Sequence, residues 1–310
     1  MVMKKYFRVM LGKKSIHAAE GFADNFIGTN FEIDENLASK LPDEWREFNK
    51  DYIPKFLKVH PDKSKVAAGL ACGFLWTVSK GIQKGDIVLC PDGSGHYHIG
   101  EVTGDYYHAP GQILQHRRPV HWFEKTIARQ DMSEALRNST GSIGTVSDIT
   151  KYSEELERLV GGETKPTLIS TDETIEDVTT FALEKHLEDF LVSNWKQTEL
   201  GKHYEIFEED GEIVGQQYPT DTGPIDVLAI SKDKKEILIV ELKKGRASDS
   251  VVGQIQRYMG YVLQELAEPH QKVKGIIIAL EDDQRIRRAL AVAQNIEFYR
   301  YQVSFKLEKA

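Results

Sequence analysis

The stretch Gly223 to Lys243 reads GPIDVLAISKDKKEILIVELK, and it decides how the second half of the chain folds. Ile225 to Ile230 and Glu236 to Leu242 are short runs rich in Ile, Val and Leu. The polar segment Ser231-Lys232-Asp233-Lys234-Lys235 separates them, which is the pattern of a β-hairpin. A turn symmetric about Asp233 and Lys234 sets Ile230 opposite Ile237, Leu228 opposite Ile239 and Asp226 opposite Glu241. Like charges directly opposed on one face destabilise a strand pair, so two carboxylates inside such apolar strands require a compensating partner. Lys243, two residues beyond Glu241, points to the same face by period-two alternation. A hard divalent cation, Mg²⁺ or Mn²⁺, would relieve the repulsion by taking carboxylate oxygens as ligands while keeping several waters. Lys243 would then orient or deprotonate one of those waters, or neutralise a phosphate. Metal-assisted phosphodiester hydrolysis is the chemistry this set predicts.

Around the hairpin, an α/β pattern extends in both directions. A helix is expected from Glu173 to Asn194, with Leu183, Leu187, Phe190 and Leu191 as its apolar stripe. Glu184 falls at the margin of that stripe, where an uncompensated carboxylate is costly, and Glu188 lies one turn further on the same flank. Strands are expected around His203 to Phe207 and over Ile213 to Tyr218. A helix over Asp249 to Leu266 brings Gln254 and Tyr258, four residues apart, onto one face. Val273 to Leu280 reads as an apolar strand, Asp282 to Gln294 as a helix, and Ile296 to Tyr301 and Val303 to Leu307 as closing strands.

Asp226 followed by Glu241-Leu242-Lys243 resembles the PD-(D/E)xK nuclease signature, with Ile225 where that family often has Pro. From about Leu183 to Phe305 the pieces LEKHLEDFL, GPIDVLA, VELKKGRA, QIQRYMGY and VKGIIIA occur in the order of the C-terminal nuclease domain of NucS-type endonucleases. The resemblance implies a restriction-endonuclease-like core and a Mg²⁺-dependent DNA endonuclease. It further implies that Asp226 and Glu241 hold the metal and that Lys243 positions the attacking water. Glu184 matches the upstream acidic residue, with Glu188 as its rival. Gln254 would orient a water or phosphate, and Tyr258 would hydrogen-bond beside it.

The chain has 310 residues, which suggests two domains. The expected division is 1–160, a breaker-rich linker at 161–172 that begins Gly161-Gly162, and 173–310. With 40% hydrophobic and 28% charged residues, the composition is that of core-forming globular material. The net charge of −8 argues against coating nucleic acid by bulk attraction, so DNA contact must use local basic patches. Lys244 and Arg246 adjoin the carboxylates; Arg117 and Arg118, and Arg285, Arg287 and Arg288, are the other groups. No apolar run is long enough for a membrane span. The N-terminal MVMKKYFRVMLGKK has no signal-peptide core, which points to the cytoplasm. Cys72 and Cys90 lack metal-site spacing and read as reduced thiols.

The first half reads as a small mixed domain. Tyr6 to Leu11 is a strand, and Pro42 to Leu57 and Ser64 to Val78 are helices, the latter with Val66, Leu70, Phe74 and Val78 at four-residue spacing. Strands follow at Ile87 to Cys90, His96 to Thr103 and Arg117 to Phe123, and helices at Met132 to Arg137 and Ser147 to Leu159. The pieces KGDIVLCPDG, HIGEVTGDYYHAP and HRRPVHW resemble the PUA-like superfamily, near EVE-type and YTH-type domains, which are partly closed β-barrels with helices. Several relatives in that superfamily take a modified or flipped base into an aromatic pocket, where the base is stacked and read at its edge. Trp76, Tyr106, Tyr107 and Trp122 are the aromatic candidates and Asn30 the edge reader; the alternative is that they fill a core. His96, His98, His108, His116 and His121 are read as strand residues rather than zinc ligands, since no Cys or second spaced pair completes a site.

A reading domain joined to a cutter suggests restriction of foreign DNA carrying modified bases. This is an analogy between folds. Repair of mismatched or branched DNA, a non-catalytic reader built on an inactive nuclease fold, and RNA as the substrate are the alternatives. Cutting both strands with one site per chain favours a homodimer.

Overall fold

The computed structural model describes residues 4–141, 144–161, 187–209 and 211–301. The chain divides into two units, Met1–Thr179 and Thr180–Ala310. Each is an α/β assembly, as the sequence predicts.

In the first unit the elements run β1 (Tyr6–Val9), α1 (Ala18–Ala23), β2 (Phe26–Thr29), α2 (Trp45–Val59), α3 (Lys65–Trp76), β3 (Ile87–Pro91), β4 (His96–Val102), β5 (Tyr107–His108), β6 (His116–Ala128), α4 (Glu134–Thr140), β7 (Val146–Asp148) and α5 (Ser153–Gly161). The strands follow the order β2-β6-β4-β3-β1-β7, with β5 also on β6. Among the described residues no ladder joins β2 to β7, so this is an open path rather than a closed ring. Thirteen-residue β6 serves both halves of it. Its start pairs with β2 and its remainder with β4. Gly100 permits the close crossing, because a Cβ there would fall 2.6 Å from Val120.

Helix α3 starts where expected. The Ser64 hydroxyl accepts the Ala67 N–H at 3.1 Å, satisfying one orphan donor of the first turn. Val66, Leu70, Phe74 and Val78 are all buried. The helix then widens into a π turn over Thr77–Gly81. Asn49 from α2 donates to the Gly69 carbonyl at 3.1 Å, tying the two helices together beside Phe48, Tyr52 and Leu75. Ser147 and Asp148, expected to begin a helix, instead pair antiparallel with Arg8 and Phe7. Both cysteines are buried free thiols, and burial pushes Cys72 up to about 12, so neither is a ready nucleophile.

Glu35 shows how this unit depends on pH. Burial alone would raise its carboxyl, but hydrogen bonds from Lys40 and Lys55 outweigh it and bring the pKa to about 2. A pKa depressed on folding contributes stability above the unfolded value, and that contribution is lost as the pH falls through the folded one. The window therefore runs from about pH 4.5 down to about pH 2. Thermal denaturation across that window is expected to show a smaller loss of Tm for Glu35→Gln than for the wild type.

In the second unit residues 187–193 are helical. There follow α6 (Glu199–His203), β8 (Tyr204–Ile206), β9 (Glu208–Glu209), β10 (Glu212–Ile213), β11 (Gln216–Thr220), β12 (Gly223–Ser231), β13 (Glu236–Arg246), α7 (Ser250–Tyr261), β14 (Lys272–Glu281), α8 (Gln284–Leu290) and β15 (Ile296–Arg300). The sheet order is β11-β12-β13-β14-β15, with β8 also on β12. β11, β12 and β13 are antiparallel, and β14 and β15 run parallel to β13. Val227, Leu238, Val240 and Leu242 bury one face with Trp195 and Ile276, each such side chain contributing about 1.5–3 kcal/mol. On the other face α7 lies so close to β14 that a Cβ on Gly275 would meet Ile255 and Met259 at 2.9 Å. Most of the expected helix from Glu173 and the expected strand Val303 to Leu307 lie outside the described residues.

Candidate active site

Strands β12 and β13 pair with Ile230 opposite Ile237, Leu228 opposite Ile239 and Val227 opposite Val240. The ladder ends there. One position further, the same register sets Asp226 against Glu241. Here the Asp226 side chain takes over from the backbone, its Oδ2 accepting the Leu242 N–H at 2.7 Å. β13 continues on its other side, pairing Glu241 with Ile277 and Lys243 with Ala279 of β14. The carboxylates thus sit where β12 and β13 stop pairing with each other, Asp226 on a strand still held by β11 and Glu241 on one still held by β14. Glu241 is 2% exposed, and its Oε1 lies 3.1 Å from Lys243 Nζ.

Helix α7 covers this point. Tyr258 is buried and accepts a hydrogen bond from Gln254 Nε2 at 3.3 Å. Its phenol is pushed up by burial, opposed by the Gln254 hydrogen bond and by Lys243, and pushed further by the charges of Glu241 and Asp226. It remains a protonated donor at neutral pH. The hydroxyl packs against Gly223, where φ is +123° and a Cβ would stand 3.0 Å from it. That position requires glycine for both reasons.

On the far side of Asp226 lies a constellation the sequence did not reveal. Gln217 Nε2 donates to Asp226 Oδ1 at 3.1 Å and to Glu188 Oε2 at 2.7 Å. Gln216 Nε2 donates to Glu188 Oε1 at 2.7 Å and to Asp189 Oδ1 at 2.9 Å. Glu188 is 4% exposed. Adjacent residues on a regular strand point to opposite faces, yet both glutamine amides reach one carboxylate. Gln217 departs from regular geometry, with φ of +53°, a conformation that costs a non-glycine residue about 1–3 kcal/mol. Of the two upstream acidic candidates, Glu188 joins the site through Gln217, and Glu184 lies outside the described residues.

Lys244 and Arg246 follow on β13. The Lys244 carbonyl accepts the Tyr301 hydroxyl, and the exposed Arg246 lies 3.7 Å from Asp283. Arg287 forms a two-pronged pair with Asp282. Arg117 and Arg118 are not a surface patch. Arg118 donates to the carbonyls of Val78, Ser79 and Gly104, and Arg117 lies over the Phe26 ring and donates to Leu114 and Ile113.

The aromatic candidates of the first unit fall into separate groups. Trp76 and Tyr106 pack against the α2–α3 core. The Trp76 indole donates to the Pro42 carbonyl, and the Tyr106 hydroxyl bonds His116 at 3.0 Å and accepts the Leu37 N–H. Tyr107 is exposed. Trp122 lies six residues beyond His116 on β6, about 20 Å along a strand. It meets Phe22 edge-on, and Phe22 stacks on His98 at 3.8 Å. Asn30 accepts from the Glu32 N–H and from Gln115.

No group of three or more His, Cys, Asp or Glu side chains among the described residues is arranged to hold a metal ion. The Asp226–Glu241 pair nevertheless suits Mg²⁺ or Mn²⁺, which bind through one or two carboxylates, waters and substrate phosphate. A carboxylate oxygen has two lone pairs, so each Asp226 oxygen can accept its hydrogen bond and still serve as a ligand.

An α/β core with opposed acidic residues beside a lysine, at the point where a hairpin stops pairing, is an arrangement suited to the hydrolytic chemistry of a nuclease. Comparison with known proteins agrees for the second unit: residues 183–308 match the endonuclease NucS C-terminal domain, so this part of the chain is NucS-like. Over 96 residues the chain is 31% identical to the endonuclease NucS of Methanocaldococcus jannaschii, covering 31% of this chain and 35% of that protein. The chain thus spans about a third of the length of the curated relative it matches. Residues 9–150 match a domain of unknown function, DUF8426, which does not confirm the PUA-like resemblance. Similar solved structures include EndoMS in complex with double-stranded DNA (14% identity, 68% of this chain, 62% of that one, TM-score 0.32). Another is a repair endonuclease from Pyrococcus abyssi (15%, 68%, 66%, 0.31). Among the described residues no helix is long and apolar enough to cross a membrane.

Proposed function

We propose that this protein is a divalent-metal-dependent DNA endonuclease in which the second unit cuts and the first selects the DNA to be cut. The observation that carries this reading is the convergence of Asp226, Glu241 and Lys243 within a segment that matches the NucS C-terminal domain. Asp226 and Glu241 would hold Mg²⁺ or Mn²⁺, with Glu184 as a further acidic ligand; the bound ion would polarise the phosphate and acidify water. The Lys243 ammonium, paired with Glu241, orients the attacking water or neutralises a phosphate oxygen. The Tyr258 hydroxyl and the Gln254 amide are neutral donors that fix the phosphodiester from the α7 side. Lys244 and Arg246 extend positive charge along the strand toward the DNA backbone.

Residues 9–150 match a domain of unknown function and the NucS domain match covers only 183–308, so selection by mismatch is not carried over with the cutter. Restriction of DNA with modified bases rests on the pairing of a selecting unit with a cutter, not on one aromatic pocket, and Trp122, Tyr106, Tyr107, Trp76 and Asn30 are the residues to test singly. A homodimer would bring two cutting sites to one duplex. The deciding experiment incubates the protein with unmodified, cytosine-methylated, hydroxymethylated and mismatched duplexes, and with RNA, in Mg²⁺, Mn²⁺ or chelator. Metal-dependent cutting of modified duplex alone supports the full reading. Cutting only at mismatches assigns the protein to repair, and cutting of RNA reassigns the substrate. Binding without cutting in either metal removes the nuclease reading.

A further inference from the structure

Gln217 stands out among the residues around the carboxylates because its backbone is strained and both hydrogens of its side-chain amide are used. A glutamine amide nitrogen carries two hydrogens, and here one goes to Glu188 and the other to Asp226. The left-handed φ of +53° falls at the second residue of β11, and the register with β12 is the same on both sides of it: Gln216 faces Val227 and Tyr218 faces Ile225. Neither a turn nor an inserted residue accounts for it. Its effect is to let Gln217, on an edge strand, reach the carboxylate of Glu188 that Gln216 also holds. Glu188 is itself buried and fixed by two amides, so the far end of this bridge is anchored.

Resting on the metal-dependent reading of the site, we propose that Gln217 is a positioning residue. Its amide, braced by Glu188, holds Asp226 in the orientation that presents a carboxylate oxygen to the divalent cation. Asp226 is then gripped at both oxygens, Oδ2 by the Leu242 N–H and Oδ1 by Gln217, and the ion meets a carboxylate that needs no reorientation. The neutral amide also separates two acidic groups that would otherwise repel each other. Partners of this kind around a metal ligand typically govern affinity by 10–100-fold.

The test separates the bridge from the backbone. Asparagine tolerates left-handed φ better than other non-glycine residues and keeps an amide, but it is one methylene too short to span Glu188 and Asp226. Gln217→Asn is therefore expected to retain or raise the melting temperature while weakening Mn²⁺ binding about tenfold or more, measured without DNA from the free-ion electron paramagnetic resonance signal. Gln217→Met, of equal length and without the donor, is expected to show the same loss and serves if the shorter variant fails to fold. Mn²⁺ affinity within about twofold of wild type in a folded variant would overturn the positioning role alone. Wild-type protein that takes up no Mn²⁺, or Asp226→Asn that takes up as much as wild type, would remove the nuclease-site reading and this inference with it.

Discussion

Asp226→Asn is expected to lower DNA cleavage by about 10³-fold while leaving the fold intact. The substituted amide keeps the size of the side chain, and its oxygen can still accept the Leu242 N–H, so the hairpin stays closed. What is lost is the anionic ligand, together with the acceptor for the Gln217 amide. Metal-derived charge stabilisation contributes several kcal/mol to phosphoryl chemistry, and each 1.36 kcal/mol is tenfold in rate. Single-turnover cleavage of a duplex the wild type cuts, at saturating protein, would measure the loss, with circular dichroism confirming the fold. Activity within tenfold of wild type would show that the hydrolysis occurs elsewhere.

The second large effect concerns stability. Arg118→Leu is expected to destabilise the first unit by about 3 kcal/mol, from a total of about 5–15 kcal/mol for a domain. Arg118 is 3% exposed, and its guanidinium serves three carbonyl oxygens from two separate segments, Val78 and Ser79 in one and Gly104 in the other. Hydrogen bonds to a charged group are worth about 1.5–3 kcal/mol each, and a buried acceptor left bare costs a similar amount. The gain from burying leucine offsets part of this. Urea denaturation would give the change. The salt dependence of DNA binding by the folded variant is expected to match wild type, because a residue that touches no phosphate releases no counterion.

The hairpin register was readable because its information is local: a polar turn between two β-branched runs leaves one alignment that keeps the apolar residues together, and Asp226 and Glu241 follow from it. Helix α3 was readable for the same reason, through a capping serine and a four-residue stripe. Long-range effects were not. Arg117 and Arg118 look like a phosphate-binding pair in sequence, but the nearby Ile113 and Leu114 carbonyls and the Phe26 ring occupy Arg117, carbonyls from remote segments occupy Arg118, and nothing in RRPVHW announces those partners. Ser147 and Asp148 became a strand because β1 offers them an edge some 140 residues away. Trp122 and Tyr106 look like members of one pocket until bent β6 sets them with different neighbours. Gln217 carried no signal, because its importance lies in a backbone angle that glutamine does not advertise.

The point where the hairpin stops pairing also makes the chemistry a check on correct assembly. Because strand side chains alternate, sliding β12 along β13 by a single residue would send Asp226 and Glu241 to opposite sides of the sheet. The apolar contacts would be exchanged at the same moment, since the core and the acidic pair are set by one alignment. On the proposed reading, a molecule that folded out of step would lose its paired carboxylates together with its core, so the alignment that makes the unit stable is also the one that would let it act on DNA.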